Sequence, residues 1–125
     1  MKITLFPSFA GEELTATVKG DVITINGEAI DLSGIPEGYM LPGTAVGNPH
    51  FVAHIPVERI NGELHFALII KVFEGTDISI RSPEKPNVIS VKSGNVKFPD
   101  VSVPVEVVPD IPKFVQETQE APTNG

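Results

Sequence analysis

Short runs in which apolar and polar residues alternate, separated by breaks rich in Gly, Asn and Pro, fill most of this chain. A period of two puts alternate side chains on opposite faces of a strand, so each run reads as a half-buried β-strand. Lys2 to Phe6 is a first short strand, stopped by Pro7. Leu14-Thr15-Ala16-Thr17-Val18, Val22 to Ile25 and Glu28 to Leu32 follow. Lys19-Gly20-Asp21 and Asn26-Gly27 supply the turns between them, and residues 14 to 32 therefore predict a three-stranded meander.

The longest apolar-rich run, residues 51 to 73, is broken near its middle by Asn61-Gly62. Asn-Gly between alternating runs signals a two-residue type I′ hairpin, because that turn needs positive φ at both central residues. Pairing outward places Ile60 opposite Glu63, Arg59 opposite Leu64, Glu58 opposite His65, Val57 opposite Phe66 and Ile55 opposite Leu68. One face then carries Ile55, Val57, Phe66 and Leu68, and the other carries Glu58 and His65. Pro56 donates nothing to a ladder, so its strand is expected at a sheet edge or bulged at that residue. Further short strands are expected at Ile78-Ser79-Ile80, Val88 to Val91 and Val96 to Phe98.

Residues 33 to 50 contain four Gly and three Pro and predict a long irregular loop. Its apolar residues Ile35, Tyr39, Met40, Leu41 and Val46 either cap the open end of a sheet or, for Tyr39, Met40 and Leu41, meet a partner. From residue 99 the texture changes, with five prolines in the last 27 residues and Val clustered between them. Such a segment suits an extended arm or an added edge strand. Its alternating Val101, Val103, Val105 and Val107 are candidate contact residues. No run keeps a helical period. The expectation is an all-β domain over residues 1 to 98, an antiparallel β-sandwich or small barrel of seven to nine short strands, with an arm or tail over residues 99 to 125.

Composition narrows the function classes. A chain of 125 residues that is 41% hydrophobic and 20% charged is one folded domain's worth. With no Cys, thiol nucleophiles, disulfides and cysteine-held metals are excluded. The net charge of −7 opposes binding to a phosphate backbone, so no nucleic-acid partner is expected. The acids are too scattered for a mimic of DNA. The N-terminal stretch lacks the apolar run of a signal peptide, and no window is long enough to span a bilayer. Synthesis in the cytoplasm and no membrane partner are expected.

Candidate chemistry is sparse. His50, His54 and His65 are the only residues suggesting a metal site, and none has a recognised ligand spacing. Ser8, Ser33, Ser79, Ser82, Ser90, Ser93 and Ser102 all lie outside a G-x-S-x-G motif, and no phosphate-cradling Gly-rich loop is present. Glu12 and Glu13 are adjacent, so on a strand they point to opposite faces. Sugar binding favours aromatic platforms, and the chain offers one Tyr with Phe residues that mostly read as core. The expectation is a protein that is not an enzyme and holds no cofactor.

The most identifying residues flank the turns. Ile25 to Leu32 (INGEAIDL), Gly38, Leu41-Pro42, Phe51, Val57-Glu58-Arg59 and Gly62 to Ile70 (GELHFALII) resemble a pattern in small uncharacterised proteins encoded in phage and prophage tail modules. The resemblance covers about residues 1 to 70. Members of that family often continue with a PHGxxAPxxxRFP segment, where this chain has KVFEGTDISIRSPEKP. The resemblance implies a tail- or baseplate-associated part or an assembly factor, made in the host bacterial cytoplasm and contacting other tail proteins or copies of itself. It implies no catalytic residues. The alternatives are a host-interaction factor that inhibits a bacterial protein, and a small metal- or carbohydrate-binding β domain.

Overall fold

Both Asn-Gly pairs turn the chain as a type I′ hairpin requires. Asn26 and Gly27 have φ of 48° and 88°, and Asn61 and Gly62 have 53° and 78°. In the computed structural model, which describes residues 1 to 103, these turns sit in two separate sheets. In chain order the strands are β1 Lys2–Ser8, β2 Ala16–Lys19, β3 Val22–Ile25, β4 Glu28–Asp31 and β5 Met40–Leu41. They continue with β6 Val57–Ile60, β7 Glu63–Lys71, β8 Asn87–Ser90 and β9 Gly94–Asn95. One sheet has the order β5-β6-β7-β1-β8 and the other β4-β3-β2-β9. The fold is mostly β, and neither sheet closes into a barrel.

The meander forms as its alternation predicts, with β2, β3 and β4 antiparallel in sequence. An all-antiparallel arrangement does not hold, because β1 runs parallel to β7 while pairing antiparallel with β8. A parallel pair needs a long crossover, and the meander and loop between the two strands supply it.

Pro7 does not end β1, which continues to Ser8 opposite Lys71. The carbonyl of Ser8 accepts the Val72 amide, so Ser8 faces β7 and Pro7 faces the other side. On that side β8 reaches only as far as Leu5. The missing N–H of Pro7 therefore falls where, among the described residues, no strand asks for it.

The β6–β7 register follows the expected pairs Ile60–Glu63, Arg59–Leu64 and Glu58–His65. Beyond them it departs from the alternation. Residues 53 to 55 turn out of the ladder, and Phe51, not Ile55, bridges to Leu68. The Phe51 ring stacks on Phe66 at 5.1 Å between centroids. Pro56 lies at the exit of this excursion, and the sheet edge is β5 instead of the strand Pro56 precedes.

Residues 33 to 50 are more ordered than their Gly and Pro content suggests. They contain β5 and a 3-10 turn at Gly43–Val46. Gly43 is buried against the backbone of the excursion, where a Cβ would meet the carbonyl oxygens of Val52, of Ile55 at 2.7 Å and of Ala53 at 2.9 Å. Ile35, Leu41 and Val46 pack on the core, as a cap would, while Tyr39 and Met40 do not.

Residues 78 to 80 form a short helix, α1 Ile78–Arg81, in place of the expected strand. The side chain of Asp77 accepts the Ser79 amide at 2.9 Å, the hydrogen bond of an N-cap. That local bond outweighs the β-branched alternation of three residues. Likewise the strand expected at residues 96 to 98 is replaced by β9, two residues earlier, paired with β2. Ile3, Leu5, Val57, Phe66 and Leu68 of one sheet and Val18, Ile23, Ile25 and Ile30 of the other belong to a single apolar core.

Candidate interaction surface

The β5 edge begins with a turn that presents its residues in a fixed way. The Tyr39 amide donates to Pro36 O at 3.1 Å, with Gly38 at φ 81° in the third position of the turn. Gly38 N then donates to Arg59 O at 2.9 Å, and Arg59 N to Tyr39 O at 3.2 Å. Two residues thus oppose Arg59, and the first is a left-handed glycine, the geometry of a G1 bulge. After the bulge, Met40 lies opposite Glu58 and Leu41 opposite Val57. Leu41 lies opposite Val57 and is half-buried against the core. Tyr39, Met40 and Ile60 are 64%, 60% and 40% exposed.

Beneath this edge the structure is braced. Arg59, with a side chain only 14% exposed, donates Nε to Ile35 O at 2.6 Å and Nη2 to Asp21 Oδ2 at 3.0 Å. It thereby ties β6 to the β2–β3 turn of the other sheet. The Glu37 carboxylate accepts the Asn61 and Gly62 amides, each at 2.6 Å. The exposed apolar side chains therefore stand on a backbone held from two directions, which lowers the ordering cost of a contact. Glu58 lies opposite His65 in the ladder, and Glu63 Oε1 is 3.9 Å from His65 Nε2.

No family model, curated protein or solved structure matches this chain.

The histidines lie apart. His50 Nε2 is 3.9 Å from Glu12, His54 meets the Phe6 ring edge-on at 6.1 Å, and His65 stands beside Glu63. Among the described residues no three His, Asp or Glu side chains converge on one point. His54 sits in the excursion, off the strand. Of the arm residues, Val101 is half-buried and its carbonyl accepts Thr76 Oγ1 at 2.6 Å. Val103 is 49% exposed and its side chain packs on Gly75. Val105 and Val107 lie outside the described residues.

Two features escape a reading by alternation alone. Ile60 shares a face with Glu58, and its pairing with Glu63 was the sign that an apolar residue sits on the polar side. The second is a repeated Asp-x-Ser device at Asp31, Asp77 and Asp100. Each aspartate accepts the amide of the serine two residues on, at 2.9, 2.9 and 3.0 Å. Hydrogen bonds from the serine side chain and then from its amide hold all three carboxyls below the ordinary aspartate range.

Proposed function

We propose that this chain is a non-catalytic β protein of a phage or prophage tail module that works by protein–protein contact at the β5 edge. The carrying observation is that Tyr39, Met40 and Ile60 are all exposed on the braced β5–β6 edge, Met40 and Ile60 on the face that also carries Glu58. Single exposed apolar residues are ordinary, but adjacent ones on an edge strand suit a partner that covers them. Among the described residues β5 also has no neighbour on one side in its sheet, so a partner strand can extend the ladder there. The tail assignment rests on the resemblance over residues 1 to 70, whose positions fall mainly on the β3–β4 hairpin, the β5 edge and the β6–β7 hairpin. The two sheets share one apolar core, which supports reading them as layers of a sandwich. No helix among the described residues is long and apolar enough to cross a membrane.

The test is a chain carrying Tyr39→Ser, Met40→Ser and Ile60→Ser. These exposed substitutions should leave melting close to wild type. The chain should then fail to co-purify with tail particles or their assembly intermediates, whereas the wild type should co-purify with them. Wild-type protein absent from both fractions by mass spectrometry would overturn the tail reading. Retained co-purification of the triple variant would overturn the β5 edge.

A further inference from the structure

At the far end of β7 from the β5 edge, the core opens into a cleft of about 310 Å³. Its apolar lining comes from Leu14, Ile70, Phe98 and Val101, and Glu13 and Asp100 stand among its polar residues. We propose that this cleft receives a lysine or arginine side chain of a partner protein, aliphatic stem on the apolar lining and charged head toward Glu13 and Asp100. The site is independent of the β5 edge: Ile70 lies five positions along β7 from His65, roughly 17 Å at strand rise.

Three observations select a basic, long-stemmed occupant. Long basic side chains are the ones that combine several methylenes with a terminal cation, and a cleft with apolar lining and acids matches both parts. Hydrogen bonds from Ser102 hold the Asp100 carboxyl below the ordinary aspartate range, which favours its charged form. Among the described residues neither Asp100 nor Glu13 has an ion-pair partner, although the backbone of Glu13 is fixed by Asn26 Nδ2 at 3.2 Å.

Among the described lining residues the one cation, Lys71, is already engaged. Its Nζ donates to Phe9 O at 2.9 Å and lies 5.3 Å from the centre of the Phe73 ring. Phe9 sits between Ser8 and Ala10, which line a second cleft of about 290 Å³, so the ammonium is directed there. The wall formed by residues 98 to 102 is fixed in turn. The buried hydroxyl of Thr76 donates to Val101 O at 2.6 Å while accepting the Phe73 amide at 2.9 Å.

The experiment titrates the full ¹⁵N-labelled chain with acetyl-Gly-X-Gly-amide, where X is arginine, lysine, citrulline or leucine. The arginine and lysine peptides should shift the amides of Leu14, Ile70, Val101 and Ser102 saturably, and added salt should weaken both. Citrulline, which keeps the shape and loses the charge, should bind more weakly. Glu13→Gln and Asp100→Asn should each weaken the arginine peptide by about threefold and together by about tenfold, the range of exposed ion pairs. Glu13→Asp should restore most of the loss at that position. If Asp100→Asn disturbs the residue 98–102 wall, visible as shifts at Thr76 before any peptide is added, Glu13→Gln carries the test alone. Equal binding of citrulline or leucine, no saturable shift, or an unchanged affinity in a folded Glu13→Gln chain would overturn the proposal. So would the same amides shifting with protein concentration alone, which would put a second copy in the cleft.

Discussion

Glu37 and Gly62, 25 positions apart, meet through a 2.6 Å hydrogen bond from the Gly62 amide to the Glu37 carboxylate, whose other oxygen takes the Asn61 amide. A type I′ turn points the amides of its central residues away from the ladder, and a carboxylate satisfies both at once. Glu37→Ala should lower stability by about 1 kcal/mol, less than a buried charge-assisted pair because the site is exposed. Glu37→Gln, which keeps one acceptor oxygen, should lose about half of that. Urea midpoints at constant m-value are the measurement, and an unmoved midpoint in Glu37→Ala would show that the two bonds contribute nothing net.

The Phe51–Phe66 stack joins the returning strand to the hairpin core. Phe66, 3% exposed, should cost about 3–5 kcal/mol when replaced by Ala. The two rings should couple by about 0.5–1.5 kcal/mol in a double-mutant cycle. A Phe66→Ala loss under about 1 kcal/mol would contradict the burial on which the register rests.

Gly43→Ala adds one methyl group against three carbonyl oxygens of the 52–55 excursion, none of them on a flexible side chain. Backbone must shift to admit it, so a destabilisation of about 1–3 kcal/mol is expected. Thermal unfolding reads this directly. Ala at Gly34, where an added Cβ meets nothing within 4 Å, is the control and should stay near wild type.

Acid should loosen the Asp-x-Ser turns. The folded carboxyls of Asp31, Asp77 and Asp100 titrate below the unfolded value of about 3.9, so the unfolded chain binds protons first as pH falls. Their contribution is therefore complete above that value and is lost as pH drops through the lower folded ones. Urea midpoints measured from pH 5 downward should decline in that window. Asp77→Asn, which keeps the cap without the charge, should flatten part of the decline; an identical pH profile would remove Asp77 from the account.

The short-range rules carried far in this chain. Both Asn-Gly turns, the meander and the first three pairs of the β6–β7 ladder follow from φ preference and alternation, which act within a few residues. What escaped them depends on partners distant in sequence. Whether Pro7 breaks a strand depends on where β8 stops, eighty residues later. Whether Ile55 or Phe51 faces Leu68 depends on the excursion that shelters Gly43. The helix at Ile78 was locally legible, through Asp77 and Ser79, but β-branched alternation spoke for a strand and the cap prevailed. The candidate surface divides in the same way. Tyr39 and Met40 stood out as apolar residues in a Gly/Pro loop, whereas Leu41, next to them, is turned inward by the pleat. The cleft near Ile70 joins segments 13–14, 70–71 and 98–102, and no local pattern announces such a meeting.

The parallel pairing of β1 with β7 bears on the order in which the molecule can assemble. β1 is the second strand from one edge of its sheet, yet both neighbours come from chain synthesised roughly sixty or more residues later. The meander can close on itself as soon as residue 31 is available, because its turns are local. β1 must wait, unpaired and carrying Ile3 and Leu5, until β7 exists. Closing a loop of that size before any contact rewards it is slow, so folding should be limited by the docking of β1. Substitutions in the meander should then change mainly the unfolding rate if the meander forms late, and the folding rate if it is the scaffold on which β1 lands.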